Sequence, residues 1–199
     1  MKFFVNFLSA FRIAASFAII PALMFQLYWT AFILFVLGAL SDWFDGFLAR
    51  KYNVCSKIGG VMDHIGDKLL AVNTLIMLTV MMPVWFIVVP VIILIARELY
   101  ISGLREFLGT QKIEMPVPKA RFSMGKIKTT LQMITIAAFL GLFAMTTTVS
   151  PEGITRTHLI IMNIVSQIGI IGLWLSLLAS VWSATQYTMT FTEKLKKIK

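Results

Sequence analysis

The sequence is poor in the residues that a water-exposed surface needs. Only 14% of its 199 residues are charged, against about 25% in ordinary soluble domains. Acidic residues number nine and histidines two. A single cysteine, Cys55, excludes an intrachain disulfide framework and disfavours a thiolate metal site. No internal repeat, low-complexity tract, Gly-rich nucleotide loop, Ser-His-Asp set or zinc-ligand spacing is present. What abounds is apolar: 58% of the residues are hydrophobic and the mean hydropathy is +0.85. Six membrane helices of about 20 residues use about 120 residues, which leaves no room for a large extramembrane domain. A soluble enzyme with a single anchor is disfavoured, because the apolar residues run through the whole chain.

Six apolar spans can be read, roughly Leu8–Leu27, Trp29–Arg50, Val61–Met82, Val84–Leu104, Met124–Thr147 and His158–Trp182. The expected fold is therefore all-α: one membrane-embedded domain over residues 1–199 with six transmembrane helices. Lys2 ahead of an apolar stretch imitates a signal peptide, but Arg12 interrupts the stretch and another span follows at once, so the first helix is expected to be retained. Very short connections near Gln26–Tyr28 and Met82–Val84 make helices 1–2 and 3–4 antiparallel neighbours. Of 18 Lys and Arg residues, only Arg156 falls on the outer side when both termini are placed in the cytoplasm. The net charge of +9 thus reports topology, not nucleic acid. The basic tail 193–199 reads as a solvated segment that touches anionic lipid. Scattered Met and Phe read as packing residues, and Tyr28, Trp29, Trp85 and Trp182 as interfacial anchors.

Charges inside apolar spans are costly, so they mark candidate sites. Four of the nine acids, Asp42, Asp45, Asp63 and Asp67, fall near the cytoplasmic ends of spans 2 and 3. Asp42 and Asp45 are three residues apart, Asp63 and Asp67 four apart, so each pair projects from one helix face. Residues 51–58 allow a turn that brings the pairs together. Four carboxylates cannot stay ionised in one half-buried place without cations. Oxygen-only ligands suit a hard divalent ion, and two Mg²⁺ or Mn²⁺ would balance four negative charges. Gly46 and Ala49 on the same face would let a phosphate or nucleotide approach the backbone, although small residues also serve helix packing.

The run Asp42-Trp-Phe-Asp45-Gly46-Phe-Leu-Ala49-Arg50, then Gly59, Asp63 and Asp67 at the corresponding gaps, matches all eight fixed positions of the CDP-alcohol phosphatidyltransferase signature. Asn6, Ser9, Arg12 and Pro21 resemble that family's opening helix. Arg97-Glu98, Ser102–Glu106 and Gly125–Thr129 resemble its bacterial phosphatidylglycerophosphate synthase branch. The resemblance implies a multi-pass protein of the bacterial inner membrane with a cytoplasm-facing cavity for two metal ions and CDP-diacylglycerol. It implies Asp42, Asp45, Asp63 and Asp67 as metal ligands, Asp67 also as general base, and Ser9, Gly46, Ala49 and Arg50 near the CDP group. Arg97, Arg105 and Lys126 are implied to hold the phosphate of glycerol 3-phosphate, and the family tendency implies a homodimer. His64 and Gly66 depart from the Pro and Ala that many bacterial members carry. His64 reads as a helix-start residue facing the interface.

The acceptor site can also be argued from charge. Arg97 and Arg105, eight residues apart, lie within about 80° of one helix face. Lys126 and Lys128 differ by about 200°, so both should not face one ligand. Lys112, Lys119, Arg121 and Lys128 read as topology and headgroup attraction. Arginine grips phosphate bidentately, so the cluster favours a phosphate-bearing acceptor over choline, ethanolamine or serine. Ion pairing with Glu98 or Glu106 is the other reading of the two arginines. Charge alone also admits inositol phosphate; the resemblance to the synthase branch selects glycerol 3-phosphate and implies phosphatidyl transfer to it from CDP-diacylglycerol, with release of CMP. The rivals are the same chemistry on inositol phosphate, serine or phosphatidylglycerol, and a small cation or proton transporter. The transporter should carry its acids along a path through the bilayer, whereas these cluster near one face.

Overall fold

The computed structural model describes the backbone of residues 2–52, 57–110, 124–148 and 155–196. Within these stretches, the side chains of residues 2–6, 42–52, 57, 58, 63, 124, 126 and 196 lie outside what is described. The described residues form six helices and no strand: α1 (Lys2–Met24), α2 (Tyr28–Tyr52), α3 (Lys57–Met81), α4 (Trp85–Thr110), α5 (Met124–Thr148) and α6 (Arg156–Lys196). Five of them are long and apolar enough to cross a membrane, and α2 contributes a shorter apolar stretch, Tyr28–Ser41, ahead of its acidic residues. Large apolar side chains such as Leu99, Trp85, Ile164 and Leu178 point outward while others fill the interior. Helices apolar on both faces belong in lipid, and the chain is a multi-pass membrane protein.

Local chemistry sets the tight turns. α1 ends in a Schellman arrangement: the Leu27 amide donates to the Ala22 carbonyl at 2.8 Å and the Gln26 amide to the Leu23 carbonyl at 3.1 Å. This requires a left-handed residue, and Gln26 takes that role at φ 60° where glycine is usual. Between α3 and α4, Pro83 cannot continue a helix, and the Val84 amide donates to the Met82 carbonyl instead.

The helices close into a ring. α1 packs on α2 and α3, α2 on α5, α5 on α6, α6 on α4, and α4 back on α3. The interior is filled by Ile19, Phe35, Leu70, Leu75, Leu94, Ile136, Phe139 and Leu173. α3 and α4 are antiparallel, yet α3 packs more along α1 and α4 more along α6. The closest seam is α5 on α6. A Cβ on Gly172 would stand 2.5 Å from Thr135 Oγ1, and one on Gly169 3.0 Å from the Phe139 ring, so hydrogen at these positions is what admits the neighbour.

α6 does not stop near Trp182 but continues to Lys196, 41 residues in all. At 1.5 Å per residue it is about 60 Å long, about twice the hydrocarbon thickness. Past the apolar run, threonine hydroxyls return to the helix: Thr185 donates to the Trp182 carbonyl, Thr188 to Ala184 and Thr192 to Met189. α4 likewise runs beyond Leu104 to Thr110. The end of α4 lies beside the α6 extension, joined to it by Tyr100 with Thr188 at 3.2 Å and by the Phe107 and Phe191 rings at 5.9 Å.

Candidate active site

Apart from Arg156, the charged side chains among the described residues gather at the end away from the Gln26 and Pro83 turns. Arg12, Ser41 and Asp67 lie 14, 13 and 14 residues from Gln26, Tyr28 and Met81 along their own helices, so they share one level. α3 organises this level. Asp67 and Lys68 are consecutive, hence about 100° apart on the helix, and they serve different neighbours.

Asp67 faces α1. The Arg12 guanidinium donates from Nη1 to Asp67 Oδ1 at 2.7 Å, and Arg12 Nε donates to Ser41 Oγ on α2 at 3.4 Å. Arg12 is fully buried, whereas the Asp67 side chain keeps 35% of its surface exposed. The cation is thus locked inside and the carboxylate opens outward. Ser9, one turn before Arg12, is buried on the same helix. Gly66 lies against Arg12, and a methyl there would meet Arg12 Cδ at 3.4 Å, an ordinary contact. The Gly66 departure therefore leaves the local packing intact. His64 is exposed.

Lys68 faces α4 and donates to Ser102 Oγ. Beside it, Arg97 donates from Nη1 to Glu98 Oε1 at 3.1 Å, from Nε to the Ser180 carbonyl at 3.2 Å and from Nη2 to Ser183 Oγ at 3.1 Å. Lys128 of α5 reaches Glu98 as well. Arg105, two turns on from Arg97 and exposed, lies over the Tyr187 ring at 5.6 Å from its centroid. These cations are close enough to repel: Lys68 senses Arg97 and Arg105, and Lys128 senses Arg97 and Lys68. Glu98, on α4, is the acid that bonds two of them.

Asp42, Asp45, Gly46, Ala49 and Arg50 fall on the continuous helix α2, and Asp63 precedes Asp67 by one turn of α3. Their side chains, and that of Lys126, lie outside the described residues. α2 and α3 touch. Oxygen donors spaced by one turn on two adjoining helices suit a hard divalent ion, so the donor set fits the metals that the sequence implies.

The structure adds residues to those expected from sequence. Arg12 counted toward topology and the opening helix; its burial beside Asp67 gives it a local partner, and its signal was a lone charge within an apolar span. Sequence alone reads Lys128 as a headgroup cation, yet it is buried and bonded to Glu98. Arg97 does form the ion pair with Glu98 that stood as its other reading.

A model of the CDP-alcohol phosphatidyltransferase family matches residues 3–182. Three proteins named CDP-diacylglycerol–glycerol-3-phosphate 3-phosphatidyltransferase are similar to the chain. The one from Blochmanniella floridana is 29% identical over 97% of this chain and 93% of its own. The one from Pectobacterium atrosepticum is 31% identical over 90% of each. The one from Sodalis glossinidius is 34% identical over 78% of this chain and 74% of its own. With nine-tenths of its length accounted for by the family model and the motif acids set on two adjoining helices, the chain belongs to the CDP-alcohol phosphatidyltransferase family.

Proposed function

We propose that this membrane transferase moves the phosphatidyl group of CDP-diacylglycerol to glycerol 3-phosphate, forming phosphatidylglycerophosphate and CMP. The observation that carries the reading is the juxtaposition made by α3, which presents a half-exposed carboxylate on one side and adjoins a basic cluster on the other. The names of the similar proteins point to the same reaction.

The family is generally dependent on divalent metals. Asp42, Asp45, Asp63 and Asp67 would hold two Mg²⁺ or Mn²⁺, which when bound supply charge neutralisation for the diphosphate. Ser9, Gly46, Ala49 and Arg50 border the CDP group. Asp67 takes the proton of a glycerol hydroxyl, and the hydroxyl oxygen bonds to the phosphorus that carries diacylglycerol. The bond from that phosphorus to the bridging oxygen breaks, and CMP leaves with the electron pair. Arg12 fixes the orientation of Asp67 from inside the bundle. Arg97, Arg105 and Lys126 hold the phosphate of the acceptor, and an anionic acceptor suits a place where cations outnumber acids. The whole chain acts as one catalytic domain, and a homodimer belongs to the same reading.

The bias of basic residues supports a cytoplasmic setting for both termini and the site, and the bacterial origin of the similar proteins supports the inner membrane. Acyl chains then enter sideways from lipid, and the acceptor arrives from water. An acceptor panel tests the reaction: purified protein in detergent receives CDP-diacylglycerol with radiolabelled glycerol 3-phosphate, inositol phosphate, serine or phosphatidylglycerol. Label should enter lipid from glycerol 3-phosphate, with an equal amount of CMP. Label from another acceptor would reassign the substrate, and no CMP release would leave the transporter.

A further inference from the structure

Both arginines of the proposed acceptor pocket are held by α6, the helix that carries none of the sequence motif. The Ser183 hydroxyl and the Ser180 carbonyl accept from Arg97, and the Tyr187 ring lies under Arg105. Ser183 and Tyr187 are four residues apart, hence on one face of α6. The matching register on α4 places Arg97 and Arg105 two turns apart on the face that meets them. α4 and α6 run parallel through this stretch, as the successive contacts from Arg97 with Ser183 to Tyr100 with Thr188 to Phe107 with Phe191 require. Ser183 and Tyr187 lie just beyond residue 182, where the family match ends.

The physical need for such support is plain. Arg97 and Arg105 are both cationic side chains near Lys68, and both are long and flexible. Left alone, mutual repulsion and rotamer freedom would spread them apart. Two of the three hydrogen bonds made by Arg97 end on α6, which leaves Glu98 for the third. The Arg105 guanidinium is exposed, and the face of Tyr187 confines it by a cation–π contact while its edge N–H groups stay available to an anion.

We propose that Ser183 and Tyr187 are positioning residues that preset Arg97 and Arg105 for the phosphate of the acceptor. The proposal rests on the reading that these arginines bind that phosphate. α6 thereby tunes acceptor affinity without contributing to the chemistry at phosphorus.

The test is steady-state kinetics of the full-length protein in detergent, with glycerol 3-phosphate and CDP-diacylglycerol varied in turn. Tyr187→Leu should raise the KM for glycerol 3-phosphate about two- to fivefold, the range of a cation–π contact at an exposed site. Its kcat and its KM for CDP-diacylglycerol should stay at the wild-type values. Tyr187→Phe, which keeps the ring, should restore the KM. Ser183→Ala should raise the same KM about tenfold through loss of a hydrogen bond to a charged group. In an Arg105→Ala background, Tyr187→Leu should add nothing. An undiminished effect in that background, a Phe variant as impaired as Leu, or a fall in kcat alone would overturn the proposal. If Tyr187→Leu fails to fold, Tyr187→Met provides the same comparison with a flexible apolar side chain. An Arg105→Ala variant with a normal acceptor KM removes both the pocket and this proposal. A raised KM in Arg105→Ala with a normal one in Tyr187→Leu removes this proposal alone.

Discussion

Around Arg12 a single fully buried guanidinium faces a carboxylate that keeps 35% of its side chain exposed. Around Glu98 the pattern is inverted, with one carboxylate bonded to Arg97 and Lys128 while Lys68 and Arg105 stand nearby. Among the described residues the first region pairs one cation with one carboxylate, whereas the second has a positive surplus. Under the proposed function divalent cations complete the first and a phosphate the second, and α3 joins them through the consecutive residues Asp67 and Lys68. Burial differs too. The counter-charge of the acidic region is deep inside and permanent, whereas Arg105 in the basic region is exposed and can meet a ligand arriving from water.

The comparison is broken most severely at Asp67. Asp67→Asn should lower the rate of CMP release by about 10²–10⁴-fold, the usual contribution of a positioned base, with CDP-diacylglycerol binding largely spared. A wild-type rate in that variant would remove the base assignment. Arg12→Met strips the acidic region of its internal cation. Breaking a fully buried pair costs about 3–5 kcal/mol; because Asp67 is partly exposed, thermal unfolding in detergent should show a loss at the low end of that range, about 3 kcal/mol. Added Mn²⁺ should recover more stability in this variant than in the wild type, because the ion then meets a carboxylate that has lost its bond to Arg12. An equal recovery in both would contradict the charge balance described for this region.

Glu98→Gln makes the converse change. The hydrogen bonds to charged partners weaken and stability should fall by about 2 kcal/mol, less than for Arg12→Met because Arg97 keeps its bonds to Ser180 and Ser183. Here glycerol 3-phosphate, not Mn²⁺, should be the stabilising addition; rescue by Mn²⁺ alone would sink the distinction. Gly172→Ala sharpens the comparison as a control remote from both regions. Its Cβ would stand 2.5 Å from Thr135 Oγ1, and the overpacking should cost about 1–3 kcal/mol of stability. Neither substrate KM should move, and a selective change in one of them would show that the α5–α6 seam reaches the site.

Much of the fold was legible because apolar runs in lipid must be helical and short turns force neighbours to be antiparallel. The order of helices around the ring was not legible, since side-chain fit decides it. The tight seam at Gly169 and Gly172 is invisible until the partners Phe139 and Thr135 are known. The α6 extension escaped for a different reason. Its threonine-rich stretch has no apolar period, and the helix persists through hydroxyl bonds to its own backbone and through packing on α4. The acidic spacing was readable because helical pitch converts sequence gaps into faces. The partners of the charges were not, because Arg12 and Asp67 are 55 residues apart and meet only through the packing of α1 on α3. Lys128 shows the same limit, as composition assigned to the headgroups a cation that packing turned inward.

The most direct measurement is CMP release from CDP-diacylglycerol and glycerol 3-phosphate by protein stripped with a chelator, followed as Mn²⁺ or Mg²⁺ is returned. The account predicts no release from the stripped protein, saturable recovery with either ion, and phosphatidylglycerophosphate formed mole for mole with CMP. Full release from stripped protein, unaffected by added metal, would contradict it.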